Sequence, residues 1–205
     1  MRHFLLHGLG WLLALAGAAL LANGAHAADP LEVRIGYLGW EPESGPLLSN
    51  VIPEPEDAGL RGAELAITDS NSTGRFLKHS YSLQVERPET PEALLERARA
   101  LHGQGVRLFV VNAPEAELLR LADALPDSLL FNAGSASDAL RGHQCRANLL
   151  HSLPDRAMLA DALAQFLAVR RWQRWLLVTG QTEDDRAYAE ALRRSARRFG
   201  ARIVL

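Results

Sequence analysis

Short β-rich runs alternate with amphipathic helical stretches from Leu31 to the last residue of this 205-residue chain. The stretches between the strand-like runs repeat apolar residues at helical spacing. This order is typical of a parallel sheet with helices on both faces, because each helix carries the chain back to begin the next parallel strand. The predicted strands cover residues 33–38, 81–85, 106–111, 129–131, 147–150, 175–179 and 201–205. We therefore predict an α/β fold with a doubly wound parallel sheet.

Capping and turn residues set the predicted helix boundaries. The first helix places Leu60, Ala63 and Ile67 on one face and is expected to end near a turn at residues 71–74. The residues expected to cap or open the later helices are Thr90 with Pro91, Pro114, Ser152 with Asp155, and Thr182. The predicted inward faces are Leu94, Ala98 and Leu101, then Leu118, Ala122 and Leu125, then Leu159, Leu163, Phe166 and Leu167.

The first 27 residues have the three parts of a secretory signal peptide. Basic and histidine residues come first, residues 9–22 form an apolar run, and Ala25-His26-Ala27 is a small-x-small cleavage site. The apolar run is broken by glycines and is shorter than the roughly 20 residues that a membrane span needs. An uncleaved anchor is therefore the less favoured alternative, and we expect the exported mature chain to begin at Ala28.

Composition and charge exclude several classes of protein. With 48% hydrophobic and 22% charged residues, the chain matches ordinary globular proteins and differs from disordered and collagen-like ones. The formal net charge is −2, and no nucleic-acid partner is predicted. Cys145 is the only cysteine, so no intramolecular disulfide can form in this chain. We interpret Cys145 as a buried, unreactive thiol. His143 and His151 lie near it without the paired spacing of a zinc site, and no metal is predicted.

Four loops are candidates for a binding site. Ligands of open α/β sheets bind at the carboxyl ends of the strands, which selects the loops after the first, third, fourth and sixth strands. The candidate ligand-binding residues are Trp40, Glu41, Asn112, Ala113, Asn132, Ala133, Gly134, Ser135 and Gln181. Trp40 would stack on a flat or apolar ligand, and the two asparagine amides would bind its polar edge. The alternatives are that Trp40 packs on the domain surface and that the asparagines cap helices or form turns.

The run EDAGLRGAELAITDSN at residues 56–71 resembles the first helix of the type I periplasmic binding proteins of branched-chain amino-acid ABC transporters. In that family a Gly-x-x-x-Ala-Ile-x-Asp-x-Asn-like helix follows the first strand and its ligand loop. The signal peptide, the order of strands and helices, and a Pro-containing helix start near Ser152 agree with the resemblance. It covers essentially the whole mature chain, which corresponds to the first half of a family member.

A narrower resemblance concerns the binding proteins associated with quinoprotein (PQQ-dependent) alcohol dehydrogenase systems. It is carried by GYLGWE at residues 36–41, by LRG at residues 140–142 with Cys145, Arg146 and Asn148, and by His151 with Pro154. One loop departs from the amino-acid binders of this fold, which present a Gly- and Ser/Thr-rich turn after the third strand. Here Pro114 removes a backbone donor that would hold a carboxylate, which argues against an amino-acid ligand.

These resemblances imply an N-terminal lobe at residues 28–152 and a partial second lobe at residues 153–205. They imply a periplasmic solute-binding protein that holds a small molecule between two lobes, needs no cofactor, and is read by an ABC permease in the inner membrane. A periplasmic ligand sensor or dehydrogenase accessory protein is the alternative, which dehydrogenase or sensor-kinase genes without permease genes beside this one would favour. An enzyme is disfavoured, because the common nucleotide, phosphate, nucleophile-elbow and zinc-protease motifs are missing.

The final predicted strand suggests that more sheet should follow. A βαβ unit does not bury both faces of its strands by itself, yet residues 201–205 form an apolar strand. We therefore expect the sequence to be a truncated form of a longer protein. A stop codon directly after Leu205, with no disrupted frame downstream, would count against this expectation.

Overall fold

The computed structural model describes residues 29–42, 55 and 57–204. The predicted signal peptide and most of the loop after the first strand lie outside the described residues. The strands are β1 (Leu31–Gly39), β2 (His79–Glu86), β3 (Leu108–Asn112), β4 (Leu129–Asn132), β5 (Leu149–His151), β6 (Arg174–Leu176) and β7 (Arg202–Val204). The helices are α1 (Leu60–Leu77), α2 (Pro91–Gly103), α3 (Glu115–Ala124), α4 (Arg156–Val169) and α5 (Glu183–Arg198), with a 3-10 helix at Asp138–Arg141 between β4 and β5.

Two parallel sheets organise the described chain. The first has five strands in the order β2-β1-β3-β4-β5, and β6 pairs with β7 in a second sheet of two strands. The strand order changes direction between β1 and β3, so the loops after these two strands leave the sheet beside a topological switch point. The predicted α/β class and parallel sheet are confirmed.

The hydrophobic core lies in the first lobe. β3 runs through its centre, with Phe109 and Val111 fully buried between neighbouring strands and covering helices. The predicted inward faces of α2 and α3 are confirmed, since Leu94, Ala98 and Leu101 and then Leu118, Ala122 and Leu125 are all buried. Thr90 caps α2 as predicted, with its hydroxyl accepting from the amide of Ala93. This core fixes the sheet edge from which the candidate loops emerge.

Helix α1 runs straight through the segment where a turn was predicted. Gly74 is buried at a close approach, where an added Cβ atom would lie 2.7 Å from the carbonyl oxygen of His79. The Asn71 amide donates to the carbonyl of Tyr81 and accepts from its N–H, both at 2.8 Å. The prediction of a turn at residues 71–74 is therefore wrong, because these two residue types here dock the helix against β2. The helix ends instead at Lys78, which has a φ of 58°.

The N-cap of helix α4 lies three residues after the predicted one, at Asp155 instead of Ser152. Asp155 is the N-cap, and its carboxylate accepts from the amide of Met158 at 2.8 Å. The Ser152 hydroxyl instead donates to the carbonyl of Asn132, also at 2.8 Å. The prediction that Ser152 caps this helix is wrong, because its hydroxyl is used to join the end of β5 to the end of β4.

The buried face of α4 is also different from the predicted one. Ala160 and Ala164 are fully buried, whereas Leu159, Leu163 and Phe166 are 43%, 41% and 53% exposed. The helix packs mainly on α5, and the Asp161 carboxylate accepts from Ser195 at 2.5 Å and from Arg198 at 2.6 Å. The small side chains of the two helices face each other, which leaves the predicted apolar stripe open in the described part of the chain.

Helix α5 begins where the sequence predicts. Thr182 and Asp185 form a capping box at its start, and these hydrogen bonds lower the pKa of the Asp185 carboxyl. Gly200, with a φ of 73°, follows its last turn. None of the helices in the described ranges is both long enough and apolar enough to cross a membrane.

Candidate functional site

A cleft of about 770 Å³ separates the carboxyl edge of the five-stranded sheet from the first turns of α4 and α5. One wall is formed by the loops after β1, β3 and β4 and by the start of α3. The other wall contains Arg156, Glu183, Asp184 and Ala187. The cleft therefore lies between the five-stranded sheet and the starts of α4 and α5, at the edge where the sheet topology predicts a ligand site.

Six of the nine candidate residues line this cleft, and three do not. The six come from three different loops and are Glu41, Asn112, Ala113, Ala133, Gly134 and Ser135. Asn132 is fully buried beneath the loop that it begins, and Trp40 and Gln181 lie outside the cleft lining. The structure thus brings together the loops after β1, β3 and β4, which are far apart in sequence.

The loops after β1 and β3 are joined by a side-chain network. Asn112 donates from Nδ2 to the Glu41 carboxylate at 2.8 Å, which holds that carboxylate at the mouth of the cleft. Asn112 also hydrogen-bonds to the buried Tyr37 hydroxyl. Burial raises the pKa of Tyr37, and this hydrogen bond opposes the rise. Asn112 is therefore oriented by two neighbours rather than capping α3, whose first turn has no side-chain cap.

Trp40 packs against the first-lobe core instead of lining the large cleft. Its Nε1 donates to the backbone carbonyl of Glu89 at 3.2 Å, and its ring contacts the core cluster. It borders a neighbouring cavity of about 280 Å³, which is also lined by Tyr37 and Arg87 and which shares Glu41, Ala58 and Asn112 with the cleft. These contacts correspond to the alternative in which Trp40 packs on the domain surface.

Asn132 shapes the loop after β4 with four hydrogen bonds. Its Oδ1 accepts from the backbone N–H groups of Gly134 and Ser135 at 3.1 and 2.9 Å. Its Nδ2 donates to the carbonyl of Ser135 at 2.7 Å and lies 3.1 Å from Nδ1 of His151. Every polar atom of this side chain is occupied, so Asn132 acts as a turn former beneath the cleft wall.

Gly134 allows the loops after β3 and β4 to touch. A Cβ atom built on it would lie 2.4 Å from Oδ1 of Asn112 and 2.6 Å from the backbone nitrogen of Ala113. No side chain fits there without moving one of the loops. Glycine at position 134 therefore allows the loops after β3 and β4 to lie in contact along the cleft wall.

Gln181 is exposed and outside the cleft, and its carbonyl accepts from Arg186. The second-lobe wall is formed instead by Arg156 and Asp184, whose side chains form an ion pair, with Glu183 beside them. The two acids were not predicted as site residues, because acids in a first helical turn are favoured in any helix. These residues could have been predicted from their position, because α4 and α5 both begin at loops that face the carboxyl edge of the sheet.

The cleft wall is acidic. Its described lining includes the carboxylates of Glu41, Glu115, Glu183 and Asp184, while Arg156 is the one cation there. The Arg156 guanidinium is already paired with Asp184, so it does not offset the other carboxylates.

Cys145 is exposed, so the interpretation of a buried thiol is wrong. It lies in the loop after the 3-10 helix, outside the hydrophobic core. Within the described residues, histidine, cysteine and acidic side chains do not come together in groups of three that could hold a metal ion.

Solved structures share this architecture. An ABC transporter substrate-binding protein from Desulfitobacterium hafniense, in complex with Leu, superposes with a TM-score of 0.64 at 19% identity, over 86% of this chain and 50% of that chain. A leucine-, isoleucine-, valine-, threonine- and alanine-binding protein from Brucella ovis, in a closed conformation, gives 0.64 at 15% identity over 86% and 46% of the two chains. The chain has the type I periplasmic-binding-protein fold.

A branched-chain amino-acid ABC transporter periplasmic ligand-binding protein from Burkholderia xenovorans also has this fold, with a TM-score of 0.64 at 19% identity over 83% and 45% of the two chains. The chain spans about half the length of the solved structures that it matches. No protein-family model and no curated protein matches the sequence.

Proposed function

We propose that this chain belongs to a periplasmic solute-binding component of an ABC-type transport system, and that it binds a small molecule between two lobes. The observation that carries the proposal is the cleft of about 770 Å³ between the sheet edge and the starts of α4 and α5. Its volume is in the range of small-molecule sites, and its walls come from both lobes. Residues 1–27 would direct export, residues 28–152 would form the first lobe, and residues 153–205 the start of the second.

Closure of the lobes would couple binding to transport. In hinge-closing binding proteins, the ligand stabilises the closed arrangement of two rigid lobes. An ABC permease in the inner membrane would then be the partner that recognises and binds the closed conformation. The cleft-facing starts of α4 and α5 support this role, because they would move toward the loops after β3 and β4 as the cleft narrows.

The class of ligand is a separate part of the proposal. The names of the solved relatives refer to leucine and other amino acids, but Pro114 lacks the backbone N–H that a carboxylate would use beside Asn112 and Ala113. A link to quinoprotein alcohol oxidation is supported by the sequence resemblance at residues 36–41 and 140–148 alone. Alcohols, aldehydes and the quinone cofactor therefore belong in the ligand screen beside the amino acids.

Thermal-shift screening of the mature protein is the direct test. We expect one class among amino acids, organic acids, alcohols and the quinone cofactor to raise the Tm by several degrees, because a ligand that binds only the folded state stabilises it. Ala187→Trp should abolish that shift, since exposed Ala187 lines the cleft and a large side chain would fill it. Ala100→Trp, at an exposed position of α2 outside the cleft lining, is the matched control and should keep the shift.

A shift that survives Ala187→Trp would place the ligand elsewhere and contradict the proposed site. The absence of a shift with every class, for a protein shown to be folded, would contradict the binding role of the chain.

We also propose that further polypeptide covers the apolar face of the second lobe. Leu159, Leu163 and Phe166 on α4 are 41–53% exposed, and Leu176 on β6 is 71% exposed. Large exposed apolar patches are uncommon on monomeric proteins and mark interaction surfaces. The half-length match to the solved structures supports the same idea.

The double variant Leu163→Gln/Phe166→Gln should lower the binding of the dye ANS to the 205-residue chain, because it removes exposed apolar surface. Each change should alter the free energy of unfolding by less than about 0.5 kcal/mol, since both side chains are already half exposed. Leu65→Gln, at a 61% exposed position on α1 in the first lobe, is the control and should leave dye binding unchanged. Equal loss of fluorescence in both proteins would show that α4 carries no special apolar surface.

A further inference from the structure

His151 lies directly below the cleft wall, at the end of β5. Its Nδ1 is 3.1 Å from Nδ2 of Asn132, the fully buried residue that forms the loop after β4. The orientation of the Asn132 amide is fixed from its other side, because Oδ1 must accept from two backbone N–H groups, those of Gly134 and Ser135. The Nδ2 group must therefore be the one that faces His151, and it is a donor.

This arrangement determines the protonation state of the imidazole. A donor at Asn132 requires an acceptor at Nδ1, so the ring must be neutral with its proton on Nε2. The ring also makes a hydrogen bond to the backbone of Leu140. Protonation of Nδ1 would replace the acceptor with a second donor, and two N–H groups would face each other at 3.1 Å in a partly buried place.

The charged groups around His151 act in opposite directions. Arg141 faces it from the 3-10 helix, and Asp155 faces it from the start of α4, while β4 carries no charged residue. Burial first, and then Arg141, lower the pKa of His151, and the Leu140 hydrogen bond and Asp155 oppose them. Arg141 is held in place by the carbonyl of Leu153 at 2.6 Å and by Asp155 at 3.5 Å.

We propose that His151 is a positioning residue for the cleft: its neutral imidazole anchors Asn132 and the Gly134–Ser135 wall, and its protonation in acid releases that wall. The importance of this wall for a ligand rests on the proposed function, but the hydrogen bond between His151 and Asn132 is a property of the free protein. The residue acts through Asn132 and does not line the cleft.

The direction of the pH dependence follows from the lowered pKa. Because the folded state binds the His151 proton more weakly than the unfolded state, the stabilisation is fully present above the ordinary histidine pKa of about 6.5. It is lost progressively as the pH falls from there through the lower pKa of the folded protein. The wall should therefore be ordered at neutral pH and loosened in mild acid.

The test uses NMR of the mature protein without any ligand. The amide signals of Gly134 and Ser135 should shift with pH along the same curve as the His151 ring, which is identified by its disappearance in the His151→Gln spectrum. His151→Gln should remove the pH dependence and keep the neutral-pH positions, because a glutamine amide supplies an acceptor for Asn132 that does not titrate. His151→Ala should accelerate hydrogen exchange at Ser135 by about fivefold over the wild type at neutral pH, and the difference should shrink in acid, where the wild-type contact is already lost.

His143→Gln is the matched control, since His143 is exposed and does not contact Asn132, and it should leave both amide titrations unchanged. Amides of Gly134 and Ser135 that ignore the His151 titration, or that still follow it in His151→Gln, would overturn the proposal. His151→Gln keeps the test valid if the alanine variant does not fold. No ligand is involved, so a failure here is distinct from a failure of the thermal-shift screen.

Discussion

Gly134→Ala is expected to lower the free energy of unfolding by about 1–3 kcal/mol, because the new methyl group overpacks the contact between two loops. It would lie 2.4 Å from Oδ1 of Asn112 and 2.6 Å from the backbone nitrogen of Ala113. The Asn112 side chain is held by its hydrogen bond to Glu41, so its oxygen does not rotate away freely, and the second obstacle is a backbone atom. One loop must therefore move, and the wall of the cleft moves with it.

Chemical denaturation measures the loss of stability, and the thermal-shift response to the identified ligand class measures the damage to the cleft. Gly62→Ala is the matched control, since a Cβ atom at Gly62 would meet nothing within 4 Å. This change lies inside α1 and should be neutral or stabilising by up to about 1 kcal/mol. A Gly134→Ala protein as stable as the wild type, with an unchanged ligand response, would show that the loops are not in contact.

Asn132→Ala should be the more damaging change, with a loss of about 3 kcal/mol or more in the free energy of unfolding. The substitution leaves the N–H groups of Gly134 and Ser135 and the carbonyl of Ser135 without their partner, and each buried unsatisfied group costs about 1–3 kcal/mol. The Nδ1 atom of His151 loses its donor as well. We expect faster hydrogen exchange at Ser135 and a weaker ligand response.

Asn148→Ala is the control that separates general from local damage. Asn148 also donates from Nδ2 to two backbone carbonyls, those of Ala122 and Leu125, both at 3.0 Å, but it lies at the far end of α3. Its replacement should lower stability without changing exchange at Ser135. If both variants change that exchange equally, Asn132 has no special role in the loop.

Local sequence signals predicted the first lobe well. The Thr90-Pro91 cap, the apolar run of β3 and the inward faces of α2 and α3 depend on residues close in sequence, and all were confirmed. The same signals placed Glu41, Asn112 and Gly134 in loops at one sheet edge, because parallel strands end together. These signals did not show that the Asn132 side chain turns inward. They also did not show that Gly134 lies in close contact with Asn112 and Ala113 in the loop after β3.

The second lobe was harder to predict, because its pattern depends on partners far along the chain. Leu159, Leu163 and Phe166 form a regular apolar stripe, but α4 buries Ala160 and Ala164 against α5 instead. Ser152 looked like a helix cap, yet its hydroxyl is used by Asn132, and Asp155 takes the cap. One wrong prediction also falls in the first lobe: in α1, the residue type of Gly74 favours a turn, but Gly74 is a point of close contact between the helix and β2.

Asp138 links the 3-10 helix to α4 and α5 through polar contacts. Its carboxylate accepts from the amide of Ala157 at 2.8 Å and pairs with Arg194 on α5 at 2.9 Å. Both partners of that ion pair are substantially exposed, and such pairs contribute at most about 1 kcal/mol and weaken in salt. We therefore expect added salt to loosen the contact between the 3-10 helix and α5 more than the contact that Asp138 makes with the backbone of α4.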